Sequence, residues 1–259
     1  MKKNPARSLS VFILILLNTS CVHYYYAPNT NNVPLFKEKN EARIEAQYTS
    51  LSSDQSTNDE ATGFELQTAY AVGKHLGLQF NYLNASYTDE SYSSGSGNYF
   101  EAAAGYFNPS KNKDWIFETY GGIGTGGIKN IYKTDNGEET AKTSFTKFFI
   151  QPSYGYCRKH FAMALSSKIS FVNFGAGNST LTQDAHPDDY NFVESLRSGK
   201  SYVWLEPGLL IRGGFKTLQV TFQVTYSIQG GDNMPFYNLN SSIGIVIPFS
   251  IKSKQASTK

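Results

Sequence analysis

From Leu218 to Ile228 the chain alternates without exception: Leu218, Val220, Phe222, Val224, Tyr226 and Ile228 are apolar, and the residues between them, Gln219, Thr221, Gln223, Thr225 and Ser227, are polar. Successive side chains of a strand point to opposite faces, so this stretch reads as a strand with one oily face and one polar face. The same period, less regular, recurs at Ala42 to Ser50, Gly63 to Val72, His75 to Ser86, Asn98 to Phe107, Asp114 to Lys129, Ser144 to Tyr156, His160 to Asn173, Ser201 to Arg212 and Leu239 to Phe249. Ten strands are expected, each reaching roughly the 9–11 residues that a tilted strand needs to cross a bilayer. A helical period occurs weakly around Tyr190 to Leu196, inside a connection.

The connections alternate in length. Leu51 to Thr62, Tyr87 to Gly97, Asn130 to Thr143, Phe174 to Lys200 and Gln229 to Asn238 are long, whereas Gly73-Lys74, Asn108 to Lys113, Cys157 to Lys159 and Gly213 to Thr217 are short. Short turns and long loops thus fall at opposite ends of an up-and-down meander. The short turns carry Lys74, Lys111, Lys113, Arg158, Lys159 and Lys216; the long loops carry acidic residues such as Asp54, Glu60, Asp89, Glu138, Asp188 and Glu194.

Alternation alone does not say whether the oily face meets lipid or a soluble core, so the polar face arbitrates. A water-facing exterior is densely charged. Here that face is mostly Gln, Thr, Ser, Asn and Gly, with isolated charges at Arg43, Glu45, Glu65, Glu101, Glu118, Lys147, Lys168 and Glu206. Such residues suit a narrow polar lumen, and because single buried charges cost several kcal/mol they are expected as a paired network that plugs it. A closed sheet also removes open edges, so Ala42–Ser50 is expected to pair with Leu239–Phe249. The fold class is therefore all-β: a closed antiparallel up-and-down transmembrane β-barrel of ten strands, residues 42–250.

Residues 1–20 read as a signal peptide, with a basic head at Lys2, Lys3 and Arg7 and an apolar run, Leu9 to Leu17, too short to span a bilayer. Leu17-Asn18-Thr19-Ser20-Cys21 resembles the lipobox of bacterial lipoproteins, whose cysteine is acylated; Asn18 stands where that pattern usually has leucine. Removing the signal takes away three basic side chains and leaves 20 against 21 acidic, so the formal charge of +2 gives no case for nucleic acid. Residues 21–41, with Tyr24, Tyr25, Tyr26, Pro28, Asn29 and Pro34, show neither period and read as an N-terminal tether; residues 251–259 read as a polar tail.

Together, the export signal, the amphipathic strands, the alternating connections and the final Gly244-Ile245-Val246-Ile247-Pro248-Phe249 resemble a bacterial outer-membrane β-barrel. Ala27-Pro28-Asn29 and Val33 to Ile44 are similar to the opening segment of small barrels of Bacteroidetes-type bacteria. The resemblance implies an outer-membrane location, contact with outer-membrane lipid and, during biogenesis, with barrel-insertion machinery. It brings no chemistry.

The nearest material for a site is Asp184, His186, Asp188 and Asp189 in the longest loop, a possible cation-binding loop. No metal or other cofactor is expected. Gly121-Gly122-Ile123-Gly124 lacks the helix and lysine of a nucleotide loop, and no Gly-x-Ser-x-Gly elbow occurs. The expectation is a non-enzymatic envelope protein that meets an unknown protein or surface ligand through acidic outer loops. The alternatives are an omptin-like rim-site hydrolase and a soluble lipocalin-like carrier tethered by lipid.

Overall fold

The computed structural model describes residues 23–54, 60–88, 93–134, 137–175, 177–231 and 234–251. In chain order they form β1 (Glu41–Ser52), β2 (Glu60–Ala71), β3 (Leu76–Thr88), β4 (Ser93–Pro109), β5 (Trp115–Thr134), β6 (Gly137–Arg158), β7 (Phe161–Gly175), α1 (Pro187–Arg197), β8 (Ser201–Gly214), β9 (Gln219–Tyr226), β10 (Ile228–Gly230) and β11 (Leu239–Ser250). Each strand pairs antiparallel with its neighbour, and β11 pairs with both β9 and β1, which closes the sheet. The closing seam runs from Glu41↔Ser250 to Ser52↔Leu239.

The barrel has ten staves, because β9 and β10 are one stave with a gap. Their register against β8 is continuous, Gly208↔Thr225 and then Leu205↔Ile228. The gap faces Pro207, which has no N–H to give to the ladder. A second gap, between Ile150↔Ile169 and Ser153↔Ser166, falls at Pro152 for the same reason.

Every stave buries alternate side chains. In β9, Thr221, Gln223 and Thr225 are buried inside while Val220, Phe222 and Tyr226 are exposed outside. The outer surface is a continuous apolar belt, from Ile44, Phe64, Phe80, Phe100 and Phe117 round through Phe148, Leu165, Val203 and Ile245, all exposed. Near the short turns the belt ends in rings, among them Tyr106, Trp115, Tyr154, Phe161 and Phe249, with Trp115 stacked on Tyr154 at 5.3 Å.

Two parts of the chain depart from the expected layout. Asn130 to Thr143, expected as a long loop, is almost wholly ladder, since β5 and β6 stay paired as far as Thr134↔Gly137. Most of Tyr87 to Gly97 is likewise taken into β3 and β4. Backbone pairing needs no alternation, so the strands outrun the part of their sequence that lipid patterns. The larger departure concerns the expected tether. From His23 to Phe36 it runs through the inside of the barrel, buried at every position except Ala27. The signal segment, Cys21 and residues 252–259 lie outside the described residues.

Candidate functional site

Among the described residues the buried polar and charged side chains converge in the lumen, and the threaded segment organises it in layers. At the long-loop end the layer is aromatic. Tyr24 stacks on Tyr237 (4.2 Å) and Tyr26 on Trp204 (4.4 Å), while Tyr25 meets Phe192 of α1 at 5.0 Å. The Tyr25 and Tyr132 hydroxyls lie 2.6 Å apart. Backbone bonds tie this end to the last long connection: Tyr25 N donates to Pro235 O and Tyr237 N to Tyr26 O, both at 3.0 Å. His23 stacks on Tyr132 at 3.7 Å, and burial lowers its imidazole from 6.5 to about 4.

Below the aromatics sits a cluster of four charges, two of each sign, none more than 1% exposed. Lys147 Nζ is 2.9 Å from Glu206 and 3.5 Å from Glu101, and Lys168 Nζ is 3.0 Å from Glu101. Adjacent staves place Lys168 directly opposite Glu206. Each remaining lone pair and proton has a partner from the wall or the threaded segment: Tyr26 Oη donates to Glu206 (2.5 Å), Asn29 Nδ2 to Glu101 (2.8 Å), and Asn81 Nδ2 also to Glu101 (2.8 Å). Tyr99 Oη donates to Glu101 too, and Lys168 donates to Asn29 Oδ1 at 3.1 Å. Balanced charge with full hydrogen bonding is the arrangement in which a buried ionic cluster persists.

Further down, the segment's backbone supplies the partners. Thr30 gives its N–H (3.1 Å) and hydroxyl (2.5 Å) to Glu65, which also accepts from Asn240 (2.7 Å). Asn32 Nδ2 donates to Asn81 Oδ1 (2.6 Å), and its carbonyl accepts from Gln79 (3.0 Å) and Gln151 (2.8 Å). Arg43 donates to Val33 O (2.6 Å), and Arg212 lies 3.2 Å from Glu45. Leu35 has a left-handed backbone (φ 58°), which turns the consecutive N–H groups of Leu35 and Phe36 onto Glu118 at 3.1 and 3.0 Å. Glycines make room for the segment: a Cβ on Gly155 would stand 2.6 Å from Leu35 Cδ2, and one on Gly208 2.8 Å from Asn31 Nδ2.

Of the charges expected in the lumen, Arg43, Glu45, Glu65, Glu101, Glu118, Lys147, Lys168 and Glu206 are all buried there. They form two ion-paired groups, while Glu65 and Glu118 are held by hydrogen bonds from the segment. Sequence reasoning missed Arg212, although it shares the inward register of Glu206, because it sits next to a short turn. With it the described residues put four cations and five carboxylates in the lumen. The segment's role was missed too. One signal was present: His23 to Phe36 contains no Asp, Glu, Lys or Arg, which suits an interior better than a solvated tether.

The stretch singled out as a possible cation-binding loop, Asp184, His186, Asp188 and Asp189, is not gathered into a ligand set. Pro187 opens α1, and Asp188 and Asp189 are taken into its first turn, where carboxylates favour the exposed N–H groups. His186 packs its ring 5.1 Å from Tyr132. Among the described residues no group of three or more His, Cys, Asp or Glu side chains is gathered for a metal. The expected helical turn at Tyr190 to Leu196 falls within α1, which buries Val193 and Leu196.

No family model matches the chain, and no curated protein does. Among solved structures it is similar to the outer membrane protease OmpT from Escherichia coli, at 7% identity and TM-score 0.44, covering 81% of this chain and 96% of that one. It is also similar to the transport unit of the autotransporter AIDA-I from Escherichia coli, at 11% identity and TM-score 0.41, covering 97% and 100%. A third is the outer membrane protein OprD from Pseudomonas aeruginosa, at 8% identity and TM-score 0.30, covering 83% and 95%. At such scores and identities the activities of these proteins do not transfer to this one.

Proposed function

We propose that this chain is a bacterial outer-membrane β-barrel, closed by its own N-terminal segment, that acts without catalysis as an envelope interaction protein through the acidic connections at its long-loop end. The observation that carries the plugged-barrel reading is the burial of His23 to Phe36 along the lumen, where the segment bonds the wall carboxylates Glu65, Glu101, Glu118 and Glu206. The apolar exterior supports the membrane: a belt such as Ile44, Phe100, Phe148, Leu165 and Ile245 is far more exposed oil than a water-facing surface carries. Export and acylation at Cys21 rest on the signal-like residues 1–20 and the lipobox-like stretch that ends there. The insertion machinery enters through the last strand, Gly244 to Phe249.

The test is conductance. Purified full-length protein in planar bilayers is expected to give no steady current steps, and open steps of the size that porins give overturn the plugged reading. The interaction role is tested by charge reversal at the long-loop end, for example Glu60→Lys at the tip of β2 with Glu194→Lys in α1. Loss of whatever surface binding the intact protein shows, with the folded barrel retained, supports it; unchanged binding removes those loops from the role.

A further inference from the structure

We propose that the chain preceding His23 leaves the barrel at the long-loop end, so that the mature N-terminus is displayed on the cell surface and any acyl group on Cys21 is anchored in the outer leaflet. The proposal rests on the outer-membrane orientation argued above, and takes from Cys21 only its position two residues before His23.

Direction comes first. His23 stacks on Tyr132, two residues from the Thr134↔Gly137 end of the longest hairpin. At the other end Lys37 Nζ donates to Cys157 O at 2.7 Å, and Asn40 N to Ala71 O at 2.8 Å, both carbonyls beside short turns. Between these ends Tyr26 and Asn29 reach the central cluster at Glu206 and Glu101, Thr30 and Asn32 reach Glu65 and Asn81, and Leu35 reaches Glu118, three residues from the short-turn end of β5. The segment therefore crosses once, from long loops to short turns, and β1 starts where it arrives.

Length agrees. The fourteen steps from His23 to Lys37 span at most ~46 Å at about 3.3 Å each, which leaves room for the turn at Leu35 in crossing an apolar band about 25 Å tall. The route is also enclosed, since the segment is held by side chains from β1 to β8 and from β11. It is an axial strand through the barrel and does not lie on its rim.

The acyl anchor then has one side available. Two residues reach at most ~7 Å from His23, whereas the leaflet facing the short turns lies beyond a band of about 25 Å. Inner-leaflet anchoring would require the whole segment to be withdrawn, with the loss of every contact described for it. The partner is therefore the outer leaflet of the same membrane, reached from within the barrel.

The test uses the full chain in cells, with a membrane-impermeant maleimide applied before or after lysis and the labelled position read by peptide mass spectrometry. Three variants, each with Cys157→Ala, report three places: Val22→Cys the N-terminus, Lys133→Cys the long-loop end and Lys74→Cys the short-turn end. Retention of the heat-modifiable gel band certifies each fold. Equal labelling of intact and lysed cells is expected at Val22→Cys and Lys133→Cys, with Lys74→Cys labelled only after lysis. Val22→Cys labelled only after lysis, with Lys133→Cys labelled on intact cells, overturns the inference and leaves the barrel orientation standing. Lys133→Cys labelled only after lysis overturns the orientation itself, and surface display with it.

Discussion

Lys168 touches both oxygens of Glu101 and the amide oxygen of Asn29, all inside a closed wall. Removing a single ion from such a cluster leaves a buried charge short of its partner, which costs about 3–5 kcal/mol. Lys168→Met is therefore expected to lower markedly the temperature at which the folded band is lost on gels. Lys168→Met with Glu101→Gln is expected to be milder than the single change, because it removes one charge of each sign and leaves the Lys147–Glu206 pair at 2.9 Å. Equal losses for single and double variants would mean that packing, not charge balance, dominates. A second residue-scale effect belongs to His23 at the long-loop rim. Burial holds its imidazole near 4 against 6.5 for a free side chain, so between these values the unfolded chain binds a proton that the folded one refuses. Its stabilisation is present above pH 6.5 and is lost as pH falls toward 4, by up to about 3 kcal/mol. Unfolding compared at pH 7 and pH 5 should show that loss, and His23→Phe should flatten it.

At the scale of elements, the staves were legible because lipid on one side and a polar lumen on the other write a period of two into each of them. Arg43, Glu65 and Lys147 could be placed inside from register alone. Where that selection ends, legibility ends with it: β5 and β6 continue as ladder through Asn130 and Ala141, which had the composition of a loop. The threaded segment was illegible for a different reason. Its residues face staves on all sides, so no period marks a buried face, and its Asn and Thr side chains look like those of a solvated linker until their partners are known. The fit between segment and wall can be tested at Gly155, where an added Cβ would also stand 2.8 Å from Ala164 Cβ. Gly155→Val is expected to cost about 1–3 kcal/mol through overpacking, seen as a lower melting temperature together with faster proteolysis near Lys37. Unchanged proteolysis would mean that the wall, not the segment, gives way.

For the molecule as a whole, stability is shared between the segment and the seam. The seam joins β1 to β11, and β11 is paired on both sides along Leu239 to Val246. A proline at Ile245 removes the backbone N–H from a strand paired on both sides, a position that prolines do not normally occupy. Ile245→Pro is expected to abolish the heat-modifiable band, whereas the naturally interrupted ladders beside Pro152 and Pro207 show that single gaps elsewhere are accommodated.

Threading and closure together also fix an order of events. Glu41 and Ser250, which meet in the seam, are the most distant partners in the ladder, so their pairing carries the longest loop to close and is the slowest contact to form. A ring already shut would have to pass its own N-terminal end, with whatever that end carries, through a lumen packed with Trp204, Phe174 and Tyr202. The easier history is the reverse: an open, curling sheet is laid around the His23–Phe36 segment as a hoop is laid around a mandrel, and the seam is the last joint made.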